Sequence, residues 1–153
     1  MKKMVLLLGC LVFVHAESIH KNELTPEIKE SSKYQQEVCG DDNHCSANEE
    51  FISNVDISEA FKQDLQKEIR FPKYDIRALI YKQILAMSLP NDNESVKKAI
   101  VITTESGDLN AEIEITKSEN KLVVTYIVEA EESIKTYIKT PNGVKILNQT
   151  SML

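Results

Sequence analysis

The sequence lacks the residues on which several kinds of active site depend. Its 153 residues include no tryptophan, four glycines and three histidines, and 6% are aromatic. We find no glycine-rich phosphate loop, no nucleophile-elbow pentapeptide and no two-histidine zinc motif. The scarcity of aromatic side chains also argues against a surface that binds bases or sugars by stacking.

Positive charge and long apolar runs are scarce as well. Lysine and arginine number 18 against 24 acidic residues, so the formal net charge is −6. A nucleic-acid-binding surface needs clustered lysine and arginine, and a transmembrane helix needs an apolar run of about 18 residues or more. Outside the N-terminus the sequence offers neither, so we expect no nucleic-acid partner and no transmembrane segment.

The N-terminus has the three parts of a secretory signal peptide. Lys2 and Lys3 form a basic start, residues 4–14 are apolar without interruption, and residues 14–16 (Val-His-Ala) suit a cleavage site. We therefore predict that residues 1–16 are removed on export. Loss of the two lysines changes the formal net charge from −6 to −8, and the mature protein is predicted to be periplasmic or extracellular.

Two covalent modifications have weaker signals. Leu7-Leu8-Gly9-Cys10 resembles the box at which bacterial lipoproteins are lipidated. The apolar run before Cys10 is only about five residues long and continues past the cysteine, so we favour the secretory signal over a lipid anchor at Cys10. Asn93 and Asn148 begin N-glycosylation sequons, which are used only in a eukaryotic secretory pathway.

The other two cysteines, Cys39 and Cys45, form an even pair, and an even pair in an exported protein predicts a disulfide. The ring would close around residues 40–44, whose glycine, aspartates and asparagine favour a turn. The same loop offers oxygen and nitrogen donors, but adjacent acidic side chains diverge and zinc would need further ligands. We expect a stapled turn, with no metal ion and no cofactor.

The mature chain is predicted to begin with a loosely structured arm. The arm is predicted to span residues 17–55; residues 17–50 are polar, and their scattered apolar residues follow no sustained period. Thr25-Pro26-Glu27 is one helix-start signal, which is compatible with a short helix from Pro26 to about Lys33. The arm also carries the disulfide-closed loop.

Residues 56–150 are predicted to form one α+β domain. Asp56 and Glu59 make a capping box for a helix over 57–70, and a second, largely apolar helix follows over 73–88. From Ala99 the apolar period changes to two, which predicts strands at 99–105, 109–116, 122–128, 134–139 and 144–147. The short connections favour an antiparallel meander of four to five strands with both helices packed on one face.

The absence of catalytic motifs in a small, acidic, exported domain favours a non-enzymatic role. A meander leaves two edge strands, here 99–105 and 144–147, and an exposed edge can accept a partner's strand. The second edge is expected to be blunted by Lys145, Asn148 and Gln149. We predict that the first edge binds a protein partner through Ile100, Val101 and Ile102. The chain would then be a protein-binding or assembly module of the cell envelope.

The alternative is a small-ligand-binding or hydrolytic domain. Its pocket would lie between the 73–88 helix and the sheet, with Ile80, Ile84 and Tyr126 in its lining. A hydrolytic version would also need an inward-facing carboxyl group whose pKa is raised.

The signal-peptide prediction is tested by the mass and N-terminal sequence of the native protein. We expect a chain that begins at Glu17 and has no free thiol, because Cys39 and Cys45 are joined after Cys10 is removed. A native product that keeps Met1 and carries free thiols would contradict the prediction.

Overall fold

A computed structural model describes residues 26–73 and 75–153 of the chain. The predicted signal peptide, Cys10 and the first part of the predicted arm lie outside these residues. The described part contains three helices and six strands, which are α1 (Pro26–Cys39), β1 (Cys45–Ser53), α2 (Ile57–Arg70), α3 (Asp75–Leu85), β2 (Glu94–Thr104), β3 (Gly107–Ser118), β4 (Lys121–Val128), β5 (Glu131–Thr140) and β6 (Gly143–Met152). None of these helices is long and apolar enough to cross a membrane.

The six strands form one antiparallel sheet in the order β1-β6-β5-β4-β3-β2. Strands β2 to β6 make the predicted meander, and β1 pairs with β6 along nine residues. The core lies between one face of this sheet and helices α2 and α3, whose buried members include Phe61, Leu65, Ile80 and Ile84. The α+β class is therefore as predicted, while the numbers of helices and strands are larger.

Helix α2 follows directly from its sequence signals. The Asp56 carboxylate accepts a hydrogen bond from the Glu59 backbone N–H at 2.8 Å, which caps the first turn. The helix ends at Arg70, just before Phe71 and Pro72, because the residue before a proline avoids helical backbone angles.

The predicted loose arm is wrong for residues 26–53. Helix α1 extends well past Lys33 to Cys39, and β1 is a full strand of the sheet. The sequence gives no strand signal there because the inward-facing residues of β1 before Ile52 are polar. Ser46, Asn48 and Glu50 face the same side as the core, so the apolar alternation expected of a half-buried strand is missing.

The added strand also corrects the predicted sheet edges. Residues 144–147 were predicted to form an edge, but they belong to β6, which has β5 on one side and β1 on the other. The edges are instead β1 and β2, and β2 contains the strand predicted over 99–105 except its last residue.

Helix α1 is joined to the start of β1 by the two cysteines. The sulfur atoms of Cys39 and Cys45 lie 1.99 Å apart, at disulfide-bonding distance. Between them, Gly40 has φ of +56° and its N–H bonds to the Gln36 carbonyl, which ends the helix. Asp42 accepts from the His44 backbone N–H at 2.8 Å, so this loop is a turn held by its own side chains.

Because β6 approaches β1 closely, substitutions at two glycines are predicted to differ greatly in their effect on stability. Gly143 and Gly107 both have positive φ, at +149° and +126°. A Cβ atom at Gly143 would overlap the Ile52 carbonyl, whereas nothing lies within 4 Å of one at Gly107. We expect Gly143→Ala to lower the free energy of unfolding by about 2 kcal/mol more than Gly107→Ala does. Urea titration measures both, and equal losses would contradict the β1–β6 approach.

Candidate functional sites

A side chain of α1 bonds to two main-chain groups on the outer edge of β1, near the start of the strand. The Gln35 amide oxygen accepts from the Ala47 backbone N–H at 2.5 Å, and the Gln35 amide nitrogen donates to the Cys45 carbonyl at 3.5 Å. Both backbone groups lie on the side of β1 that faces away from β6. Gln35 thus takes up main-chain groups that would otherwise be open to another strand.

The edge at β2 has no such cover within residues 26–73 and 75–153. Its strand partner is β3 alone, along eleven residue pairs. The three residues predicted to bind a partner differ in burial: Val101 is 62% exposed, Ile100 is half-buried and Ile102 belongs to the core. Only the first two can offer side-chain surface to a partner, since Ile102 packs inward.

A shallow depression of about 320 Å³ adjoins this edge on the outer face of the sheet. Ala99 lies in it between the longer side chains of Lys97 and Val101, which share its face because side chains alternate along a strand. Ile127, on β4, adds apolar surface. On the rim, the Lys97 ammonium pairs with the Glu114 carboxylate at 3.1 Å.

The residues predicted to line a pocket are packed in the core. Ile80 and Ile84 are fully buried and Tyr126 is 1% exposed. The Tyr126 ring meets Tyr81 edge to face at 5.9 Å, and its hydroxyl lies 3.4 Å from the Glu131 carboxylate. None of these three side chains lines the polar cavity that is found under α3.

That cavity lies at the opposite end of the sheet from β2 and has a volume of about 170 Å³. Its floor is the inner face of strands β1, β6 and β5, and its roof includes Arg77 and Tyr81 of α3. The strand registers place the floor side chains in two rows across the three strands, namely Ser46, Thr150 and Ser133, then Asn48, Asn148 and Lys135. An inward-facing sheet surface is usually apolar, so six adjacent polar residues set this region apart.

A buried charged cluster lies beneath the second row. The Lys135 ammonium donates to the Asp64 carboxylate and to the Asn148 side-chain oxygen, each at 2.9 Å. The Tyr137 hydroxyl donates to the same Asp64 oxygen at 2.7 Å. The side chains of Lys135 and Asp64 are only 6% and 1% exposed. Such ion pairs are rare inside proteins because both charges lose their hydration.

One acceptor in this cluster is left over. The other carboxylate oxygen of Asp64 is buried and has no hydrogen-bond partner among the residues that the structure describes. A buried oxygen without a partner raises the free energy of the folded state. Asp64 lies seven residues after Ile57 and three after Phe61, so the helical period places it on the apolar face of α2. The sequence analysis did not use this signal and missed the residue.

A second ion pair lies at the cavity roof. The Arg77 guanidinium makes two hydrogen bonds to the Glu131 carboxylate, both at 3.0 Å. This two-point geometry fixes the planar guanidinium more firmly than a single contact would. The Lys135 ammonium lies 5.5 Å from the centre of the Tyr81 ring, so the floor and the roof also meet through a cation–π contact.

The three core tyrosines make stability depend on pH. Burial raises the pKa of Tyr81 to about 12 and also raises the pKa values of Tyr126 and Tyr137 well above the ordinary tyrosine value, and the Asp64 carboxylate adds to the shift at Tyr137. Unfolded tyrosines ionise near pH 10, while the folded ones stay protonated. The unfolded state then binds fewer protons, so the free energy of unfolding falls as pH rises above about 10.

We expect urea titrations to give a nearly constant free energy of unfolding between pH 7 and 9 and a steep fall between about pH 10 and 12. In the Tyr137→Phe variant one tyrosine fewer ionises on unfolding. Its free energy of unfolding should therefore fall about one third less steeply with pH. Tyrosinate absorbance checks the same point, since the buried rings should ionise only with unfolding. Equal slopes in both proteins would contradict the proposed protonation of Tyr137.

Comparison with known proteins does not assign the chain to a family. No family model, no curated protein and no solved structure matches it. The contacts, burial and charge of its own residues therefore carry the functional inference.

Proposed function

We propose that this chain is an exported protein-binding module that receives an extended segment of a partner as a seventh strand along β2. The observation that carries the proposal is the difference between the two sheet edges. Gln35 occupies main-chain groups of β1, whereas in the described part of the chain β2 has a partner strand on one side only. A protein that protects one edge and leaves the other open has a defined place for strand addition.

The second half of β2 has a sequence that suits strand addition. Residues 99–104 (Ala-Ile-Val-Ile-Thr-Thr) are mostly β-branched and contain neither proline nor glycine. Main-chain hydrogen bonds along this edge would supply affinity without requiring a particular partner sequence. Lys97 and Lys98 flank the segment on one side, and their charges oppose uncontrolled self-association of the edge.

The depression around Ala99 would provide selectivity. A partner strand beside β2 places alternate side chains over the outer face next to Ala99, whose short side chain leaves room. An aliphatic side chain on the partner fits this position. The partner is therefore a protein segment with alternating apolar residues, able to become extended.

Export is part of the proposal and has two supports. The N-terminal sequence has the form of a secretory signal, and Cys39 and Cys45 lie at disulfide distance, which is compatible with an oxidising compartment. The cysteine pair also holds α1 beside β1, where Gln35 covers the edge. An oxidising location and a protected β1 edge are thus consistent with each other.

Selection from a displayed library of random linear peptides tests strand addition. We expect the selected peptides to contain alternating apolar residues and, in NMR titrations, to shift backbone amides of residues 95–104. Val101→Lys should weaken binding about tenfold by placing a charge against the added strand. Phe51→Lys is the matched control, because Phe51 is an exposed apolar residue of the opposite edge strand and is 44% exposed.

The control variant should bind the peptides within about twofold of the unchanged protein. The proposed binding at β2 would be overturned by peptides that shift the backbone amide resonances of β1 rather than β2. Equal losses of affinity in the two variants would also overturn it. Failure of the library to yield any saturable binder would do the same.

A further inference from the structure

We infer a second binding site, independent of the β2 edge, in the polar cavity over β1, β6 and β5, and we propose that it takes a small neutral polyhydroxylated molecule such as a monosaccharide or cyclic polyol. The carrying observation is the pair of polar rows on its floor. Ser46, Thr150 and Ser133 supply three hydroxyl groups, and Asn48 and Asn148 supply two amides. Hydroxyl and amide groups both donate and accept hydrogen bonds, as the hydroxyls of such a ligand do.

The rows run from an open end to a buried end. Ser46 and Asn48 on β1 are exposed, Thr150 and Asn148 on β6 are half-buried, and Ser133 and Lys135 on β5 are buried. A ligand entering past β1 would exchange water for protein partners step by step towards β5. In small-molecule sites, polar groups that converge on a concavity fix the orientation of the ligand.

The charges around the cavity favour a neutral ligand. The Lys135 ammonium is paired with Asp64, the Arg77 guanidinium with Glu131 and the Glu50 carboxylate with Lys67. The other two charged residues of the lining, Glu68 and Lys73, carry one charge of each sign. A charged ligand of either sign would therefore meet like charges and compete with existing ion pairs. A neutral molecule leaves these pairs intact and still finds donors and acceptors.

Lys135 can bind a ligand without losing its hydrogen bonds to Asp64 and Asn148. An ammonium group has three protons, and the hydrogen bonds to Asp64 and Asn148 use two of them. Within the described residues the third proton faces only the Tyr81 ring region, at 5.5 Å from the ring centre. A ligand hydroxyl could accept this proton at the floor of the cavity.

The size of the cavity sets the scale of the ligand. About 170 Å³ equals the liquid volume of about six waters at ~30 Å³ each. That volume suits a single ring rather than an oligosaccharide. Recognition would depend on hydrogen bonds, in keeping with the low aromatic content of the sequence, since Tyr81 turns its ring towards Lys135.

NMR titration of the mature chain with matched sugars tests both the site and the ligand class. The neutral probes are D-glucose, D-galactose, D-mannose and myo-inositol, and the charged counterparts are D-glucuronate and D-glucosamine. We expect at least one neutral probe to cause saturable shifts at the Asn48 and Asn148 side-chain amides. It should bind about tenfold more tightly than the charged counterparts of the same ring size.

Two variants separate this site from general effects of sugars in solution. Thr150→Val keeps the shape but removes a hydroxyl, and it should weaken binding about three- to tenfold, the equivalent of one hydrogen bond. Ala78→Leu should abolish binding, because Ala78 lies in the cavity wall and the larger side chain fills the space. Thr136→Val is the control, since Thr136 faces the other side of β5. It should leave affinity unchanged.

Shifts that stay linear up to about 100 mM sugar would show that no saturable binding occurs, and would overturn the site. Tighter binding of glucuronate or glucosamine at the same residues would overturn the neutral class. Saturable shifts that survive both Thr150→Val and Ala78→Leu would place binding elsewhere. Because Thr150 and Ala78 are remote from β2, these results are independent of the strand-addition experiment.

Discussion

The buried contact of Asp64 with Lys135 and Tyr137 is the interaction on which the rest of the structure depends. Asp64 belongs to α2 and its two partners belong to β5, so one carboxylate oxygen fixes the helix against the sheet. Removal of one partner from such a pair costs about 3–5 kcal/mol, because the other charge is left buried and unpaired. The Phe61 ring packs edge to face on Tyr137 at 5.8 Å and encloses the same contact in apolar surface.

The ionic contact also divides the inner face of the sheet into two regions. On the side of β2, β3 and β4 the inward residues are mostly apolar and the helices close over them. On the side of β1, β6 and β5, Val144, Ile146 and Tyr137 continue the apolar core, whereas the two polar rows border a cavity beneath α3. Lys135 lies at the boundary, because Asp64 holds its ammonium on the core side and the residue also lines the cavity. Burying a charge there is tolerated because Asp64 and Asn148 replace the lost water.

Strand β1 completes both the sheet and the cavity. It shields β6 from solvent along nine residue pairs, contributes the open ends of both polar rows, and is itself covered by Gln35 of α1. The cysteine pair keeps α1 at this position. The proposed strand-binding edge and the proposed ligand cavity therefore lie at opposite ends of one sheet, where each can be altered without disturbing the other.

The sequence alone determined the α+β class, helix α2 with its Asp56 cap, and the central strands, because each of these has a local signal in its capping residues or its apolar period. It also paired Cys39 with Cys45 by elimination. Strand β1 was not predicted because most of its inward residues are polar, and the same polar residues line the cavity. Lys135 was missed because a lysine on a strand is usually exposed to solvent. Asp64 was missed although the helical period places it on the apolar face of α2, because the sequence does not show which partner would accept its charge there. Only the tertiary structure decided which polar side chains are buried, because burial depends on what packs over a residue and not on its neighbours in the chain.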